Sequence, residues 1–274
     1  MKISRKISNI FNRRNRILLR ELVVTDFKLR YQGSALGLAW SLLKPLFLFA
    51  ILYTVFGYFL RIGGDVPHFP VYLLLGIVLW TFFTEATNQG LQSIVNNGDL
   101  IRKINFPKYI IIFSNTISAL INLGFNLLVV MFFVWLNGVD LHWHVLLLPL
   151  VIIELYVFSL ALAFFLSAAY VKFRDIGYLW EVLLQGAFYG TPILYPIGLV
   201  VGINELAAKV LMLNPMAQII QDARYLLITP ESVTVYSIFN GYWYAYIPFT
   251  LIIVIAIGAS IFFKRSSGKF AEDV

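Results

Sequence analysis

The sequence predicts an all-α membrane protein: six transmembrane helices, an N-terminal amphipathic interface helix, and re-entrant half-helices between spans 5 and 6. Three observations predict it. Of 274 residues, 60% are hydrophobic and 13% charged, with a mean hydropathy of +0.81; soluble domains run near about 45–50% and about 25%. The apolar residues fall in long runs between short polar stretches, as expected of helices that satisfy their own backbone hydrogen bonds inside a bilayer. Finally, of the 21 Lys and Arg only Arg61, Lys209 and Arg224 fall in the loops opposite the basic ones. The net charge of +7 therefore reports orientation rather than nucleic-acid binding, and it places both termini in the cytoplasm. With no Cys, neither disulfides nor thiolate metal ligands are available.

Residues 1–34 form a cytoplasmic amphipathic interface region. Ile3, Ile7, Ile10 and Phe11, then Leu19, Leu22, Val23 and Phe27, recur at helical spacing, with Arg13, Arg14, Arg16, Arg20, Lys28 and Arg30 between and opposite them. Such helices lie along a membrane face or in a partner's groove. The stretch is too basic and interrupted for a signal peptide.

A transmembrane domain covers residues 35–265, followed by a cytoplasmic tail, 266–274. The first span, 36–60, carries Lys44 where a long side chain snorkels to the cytoplasmic interface, and ends at Arg61. The second, 71–95, holds Glu85, Asn88 and Gln89, so that face must pack inward. The third, 109–136, is uncharged, and the fourth, 145–171, is interrupted only by Glu154. The fifth, 182–199, contains Gly186, Gly190, Pro192 and Pro196, a density of helix breakers that predicts a bend. The sixth, 242–263, begins in an aromatic belt of Tyr242, Trp243, Tyr244 and Tyr246 and ends at Lys264 and Arg265. Between the last two spans, apolar stretches at 206–213 and 216–228 flank Asn214-Pro215, a cap followed by Pro at the first helical position. Each is shorter than the roughly 20 residues a crossing needs, so they are expected to dip into the outer leaflet and return.

No phosphate-binding G-x-x-x-x-G-K-[ST], H-E-x-x-H or G-x-S-x-G motif occurs, so any ATPase is a separate chain and no catalytic residue is assigned. The chain itself calls for no metal or cofactor. His142 and His144 flank Trp143 without a third ligand nearby. The intramembrane acids Glu85 and Glu154 read either as a proton relay or as hydrogen-bonded residues at helix interfaces. Gly186 and Gly190, like Gly33 and Gly37, have small-residue packing spacing, which is common in membrane helices. Phe49, Tyr53 and Phe56 form a stripe on the first span; it packs against another helix or offers a wall on which sugar rings slide. Phe188, Tyr189 and Tyr195 on the fifth span add to the second reading. In the second cytoplasmic loop, Asp99 as N-cap opens a short helix with Leu100 and Ile104 on one face, stopped by Phe106-Pro107. It is either a connector or an apolar patch displayed to a partner's cleft.

Four stretches then resemble one family. They are Arg30-Tyr31-Gln32-Gly33-Ser34-Ala35-Leu36-Gly37-Leu38-Ala39-Trp40-Ser41-Leu42-Leu43-Lys44-Pro45, Leu100-Ile101-Arg102-Lys103-Ile104-Asn105-Phe106-Pro107-Lys108, Phe173-Arg174-Asp175-Ile176, and Asn214-Pro215-Met216 with Arg224. Together they are similar to the ABC-2 polysaccharide exporter permeases, which move O-antigens and teichoic acids. The resemblance runs nearly the whole chain. It implies a homodimer in the bacterial cytoplasmic membrane with two ABC ATPase subunits, which bind the ATP and Mg. Asp99, Leu100, Ile101, Arg102, Lys103, Ile104 and Phe106 would couple to the ATPase, and Leu19, Leu22, Val23, Phe27 and Arg30 would rest against it. A channel lined by Trp40, Phe49, Tyr53, Phe56, Phe188, Tyr189 and Tyr195 would thread an undecaprenyl-pyrophosphate-linked glycan, with Asn214, Pro215 and Arg224 shaping the exit. An ABC-2 drug or lipid exporter shares the architecture but needs a lateral apolar pocket. A membrane enzyme lacks paired acids, and a proton-coupled transporter lacks internal repeats.

Overall fold

The structure is a computed structural model and describes residues 13–31, 36–37, 39–64, 66–268 and 270. The 3–11 repeat, Gly33 and the 32–35 part of the first motif lie outside these residues, as do the side chains of Phe27, Arg30 and Tyr31. Among the described residues every regular element is a helix. In order these are α1 (Arg13–Tyr31), α2 (Ala39–Leu52) running into a π-helix (Tyr53–Phe59), α3 (Phe69–Asn96), α4 (Gly98–Lys103), α5 (Tyr109–Leu136) and α6 (Leu148–Lys172), the last preceded by a 3-10 turn (Trp143–Leu147). There follow α7 (Ile176–Gly190), α8 (Ile197–Ile203), α9 (Glu205–Met212), α10 (Pro215–Leu227), α11 (Val235–Ile238) and, after a 3-10 turn (Trp243–Tyr246), α12 (Ile247–Ser266).

Among the described residues five segments are long and apolar enough to span: Ala39–Phe59, Phe69–Asn96, Tyr109–Leu136, Trp143–Lys172 and Trp243–Ser266. The segment expected as a fifth span is divided instead. α7 starts earlier than expected and stops at Gly190, and residues 191–196 are non-helical before α8. Pro192 and Pro196 account for the division, since neither donates a backbone N–H and each clashes with the preceding helical turn.

α3 is the central strut: 78% of its most apolar stretch is buried, against 11% for the first span. It packs against α5 on one side and α6 on the other, and α12 closes on α6. The α3–α6 approach depends on Gly90, where an added Cβ would lie 2.3 Å from the Cβ of Ala163. Small residues let membrane helices approach at this distance.

Two short helices follow from their caps. α9 is capped by Asn204, whose Oδ1 accepts from the N–H of Ala207, and α10 by Asn214, whose Oδ1 accepts from the N–H of Met216, with Pro215 in its first turn. On α9's exposed side Lys209 Nζ lies 2.6 Å from Glu205, and its hydrogen bond and charge hold that carboxyl below the usual range. The expected cap of α4 is corrected. Asn97 stands at the N-cap and makes no side-chain cap bond, while Asp99 sits in the first turn, where its charge suits the helix dipole.

Candidate functional site

The division of the fifth segment is held by one buried cation. Arg224 on α10 is completely buried. Its Nε and Nη2 donate to the carbonyl of Tyr72, Nη1 to the carbonyl of Pro192 and to Gln221 Oε1, and Nη2 also to the carbonyl of Ile193. The guanidinium carbon lies 3.4 Å from the centre of the Tyr72 ring. Carbonyls released by the break thus meet a planar group with five donors, and the cation is compensated by carbonyl dipoles and a π-face. Gly76 makes room, since a Cβ there would come 2.7 Å from Nη2. Asn214 closes the same knot, its Nδ2 donating to Thr191 Oγ1 at 3.1 Å. The structure therefore brings Asn214, Pro215 and Arg224 together around residues 191–194. The lone Arg of an apolar segment and the carbonyl-freeing Pro192 were both legible separately; their meeting was not.

The predicted channel residues separate. Trp40, Tyr53 and Tyr189 are exposed. Phe49 is buried, stacked on Tyr53 and edge-on to Phe133 of α5, and Phe56 packs on the core. Phe188 rests against Trp80, and Tyr195 is half-buried with its hydroxyl donating to the carbonyl of Tyr189. The contact of Phe49 with Phe133 is the packing role, one of the two expected of the stripe, and the chain leaves α-helical spacing at Tyr53: the N–H of Leu60 reaches the carbonyl of Val55, five residues back. Tyr58 and Phe59 point outward instead, 71% and 70% exposed, and Tyr178, Leu179, Val182 and Leu183 of α7 are equally open. Only Leu184 of α7 is buried. The sequence reading missed these residues, whose signal was an amphipathic helix beginning before the first breaker.

Between the first three spans lies a polar cleft of about 530 Å³, lined by Trp40, Lys44, Thr84, Glu85, Asn88 and Gln89 among others. Glu85 accepts from Gln89 Nε2 at 3.0 Å and Asn122 Nδ2 at 2.8 Å, and Asn126 Nδ2 donates to the carbonyl of Ser41. Lys44 and Asn88 stay exposed. The other acid, Glu154, lies at the α6–α10 contact, where Gln218 Nε2 donates to it at 3.4 Å and to Asp222 at 2.7 Å. His142 and His144 face different neighbours, the carbonyl of Asp140 and the Tyr225 ring.

The elements expected in the cytoplasm turn apolar side chains inward. Leu19 and Leu22, with Leu18, pack from α1 onto a second core containing Ile110 and Ile111 of α5; Val23 is half-buried, and Asp26 accepts from Ser114 Oγ. The expected display of Phe106 is corrected. Phe106 and Ile101 are 8% and 6% exposed and belong to that core, and Leu100 packs against it. What α4 and its exit present are Asp99, Arg102, Lys103 and Ile104. Phe263 and Phe270 occupy the same core, with rings 5.4 Å apart, and Lys108 Nζ donates to the carbonyl of Ser267. Ser267 and Phe270 are thus tied to the base of the second loop.

Comparison with known proteins relates the sequence to one family of membrane transporters. The sequence model of the ABC-2 type transporter family matches residues 17–228. The chain is 32% identical to an O-antigen export system permease protein of Myxococcus xanthus over 74% of this chain and 76% of that one. It is 29% identical to a protein of the same description from Klebsiella pneumoniae over 90% and 91%. A polysialic acid transport protein of Escherichia coli is 22% identical over 94% and 96%.

Proposed function

The chain belongs to the ABC-2 type transporter family, and from that premise we propose that it is the membrane subunit of an ATP-driven exporter of lipid-linked polysaccharide. The observation that carries the reading is the pair of unpartnered faces, on the first span and on α7, where Tyr53, Tyr58, Phe59, Tyr178 and Tyr189 stand exposed. A second copy closing on these faces encloses a passage with aromatic walls, which give sugar rings apolar contact without fixing a hydrogen-bond register. The relatives described as O-antigen permeases support a glycan over a drug or free lipid.

On this reading α7 and residues 191–199 make a sixth crossing together, because 15 residues of helix rise only about 22 Å, less than the roughly 30 Å hydrocarbon core. α9 and α10 are re-entrant and frame the outer exit. The cleft beside Lys44 offers an ammonium, amides and an indole to the phosphate–sugar junction of an undecaprenyl-pyrophosphate carrier. The chain performs no hydrolysis: two copies of a separate ATPase supply it from the cytoplasm, seated on α1 and on the Arg102–Lys103–Ile104 surface.

The test is export. Expressed with its ATPase in cells that make a lipid-linked O-antigen but lack their own permease, the chain is expected to deliver glycan to the cell surface, and a hydrolysis-dead ATPase to stop it. Normal insertion and ATPase pairing with drug resistance, but no surface glycan, would replace this reading with the drug-exporter one. The dimer is tested separately. The chain has no Cys, so a single Cys replacing Tyr58 or Tyr178 is expected to cross-link two copies in membranes; absence of any cross-link at both sites removes the shared passage.

A further inference from the structure

A second cleft, of about 340 Å³, opens on the outer side where the loop after the first span, the start of α8 and the loop after α10 converge. We propose that it docks one neutral sugar unit of the departing glycan, an inference that rests on the export reading above. Its walls are apolar, from Ile62, Val66, Ile197 and Leu199, and suit the C–H faces of a pyranose ring. Its polar groups suit hydroxyls. Ser232 Oγ is buried and has no hydrogen-bond partner, a group that stays costly until something fills its valence. The exposed carboxylate of Glu231 and the Tyr72 hydroxyl line the same space.

The floor is preorganised. The Tyr72 hydroxyl donates to Gln221 Oε1 at 3.3 Å, Gln221 Nε2 donates to the carbonyl of Val233 at 3.1 Å, and Arg224 fixes the same Oε1 from behind at 2.8 Å. Both ends of the Gln221 amide and the proton of the Tyr72 hydroxyl are thereby used, which leaves hydroxyl recognition to Glu231 and Ser232. Among the described residues no Lys, Arg or His lines the cleft, and the one charged side chain there is the acidic Glu231. A phosphate or an acidic sugar finds no counter-charge there and meets the Glu231 carboxylate, so the site selects neutral rings. The volume lies near the small end of ligand sites, roughly 300–1,000 Å³, as a single ring requires. Docking here holds the emerging end on the outer side while the next unit advances.

Gly198 supplies the test, because it lines the cleft and an added Cβ meets nothing within 4 Å. Gly198→Leu therefore adds bulk at the cleft wall from a position whose Cβ has open space, and Ser232→Ala removes the orphan hydroxyl. With the full chain in lipid nanodiscs, saturation-transfer NMR is run with mannotriose as the neutral probe and with a sialic acid dimer and inorganic phosphate as anionic ones. Mannotriose is expected to receive transfer from the wild type, to weaken roughly five-fold with Ser232→Ala, the loss of about one hydrogen bond, and to lose contact in Gly198→Leu. Absent transfer to mannotriose in the wild type, unchanged transfer in both variants, or equal transfer to the acidic probe overturns the site. Surface-glycan export measured on the same variants keeps the two readings apart: a wild type that exports glycan while the variants bind mannotriose unchanged removes the docking site alone, and a wild type that exports none removes the parent reading.

Discussion

Two polar clusters within the helical bundle are built on opposite plans. Around Arg224 every donor is used, the cation is wholly buried, and the partners come from three separate segments. Around Glu85 the carboxylate is hydrogen-bonded, yet Lys44 and Asn88 beside it remain open to a cleft of about 530 Å³. A closed polar cluster can only hold shape, since it has nothing left to offer a ligand. An open one is stable enough to persist and still has donors to give. Burial of the partners therefore separates scaffold from working surface more reliably than the presence of a charge inside the membrane.

The largest expected effect comes from opening the closed cluster. Arg224→Met keeps an unbranched apolar stem but strands the carbonyls of Pro192 and Ile193, and should destabilise the protein by about 3–5 kcal/mol. Thermal unfolding in detergent reads this out; a variant that melts like the wild type would deny the cluster its structural role. Gly76→Ala attacks the same knot from α3 by pushing the guanidinium aside, at about 1–3 kcal/mol. Its effect should shrink in an Arg224→Lys background, where the displaced group is smaller, and full additivity in that double-mutant cycle would mean that the two do not share a site.

The contrast recurs in the loop between the second and third spans, where Phe106 faces in and Ile104 faces out. Ile104→Asp should weaken co-purification of the ATPase by about ten-fold, roughly 1.4 kcal/mol, with the melting temperature unchanged. Phe106→Asp should lower the melting temperature first. The reverse pattern would show that the loop turns over on meeting its partner. The smallest effect is expected at the open cluster: Glu85→Gln keeps an acceptor for the amide of Gln89 or Asn122 and should cost under about 1 kcal/mol while export persists. Abolished export with normal insertion would make Glu85 a proton carrier instead.

These contrasts also mark what could be read from the residues. Four spans and the last helix were legible because uninterrupted apolar runs have few alternatives, and the start of α10 because Asn214-Pro215 is a specific local signal. A bend in the fifth segment was expected from its glycines and prolines, but neither its division nor its boundaries were, since α7 begins outside the apolar run. Facing was harder. The apolar side of α1 lies on the third span of its own chain, and Phe106 joins a core completed by Phe263 and Phe270, the latter 164 positions later; neither partner is a near neighbour in sequence. Arg224 was placed in the right segment without its carbonyl partners, because backbone acceptors carry no residue-specific mark.

The π-helix at Tyr53–Phe59 gives the first span slack in chain length at this one place. A turn closed five residues back holds one residue more than an α-helical turn, so a single-residue deletion here is absorbed by a return to regular pairing, and the residues beyond keep their facing. The same deletion within Ala39–Leu52 has no local slack to draw on and turns the stretch between it and the wide turn by about 100° around the helix axis.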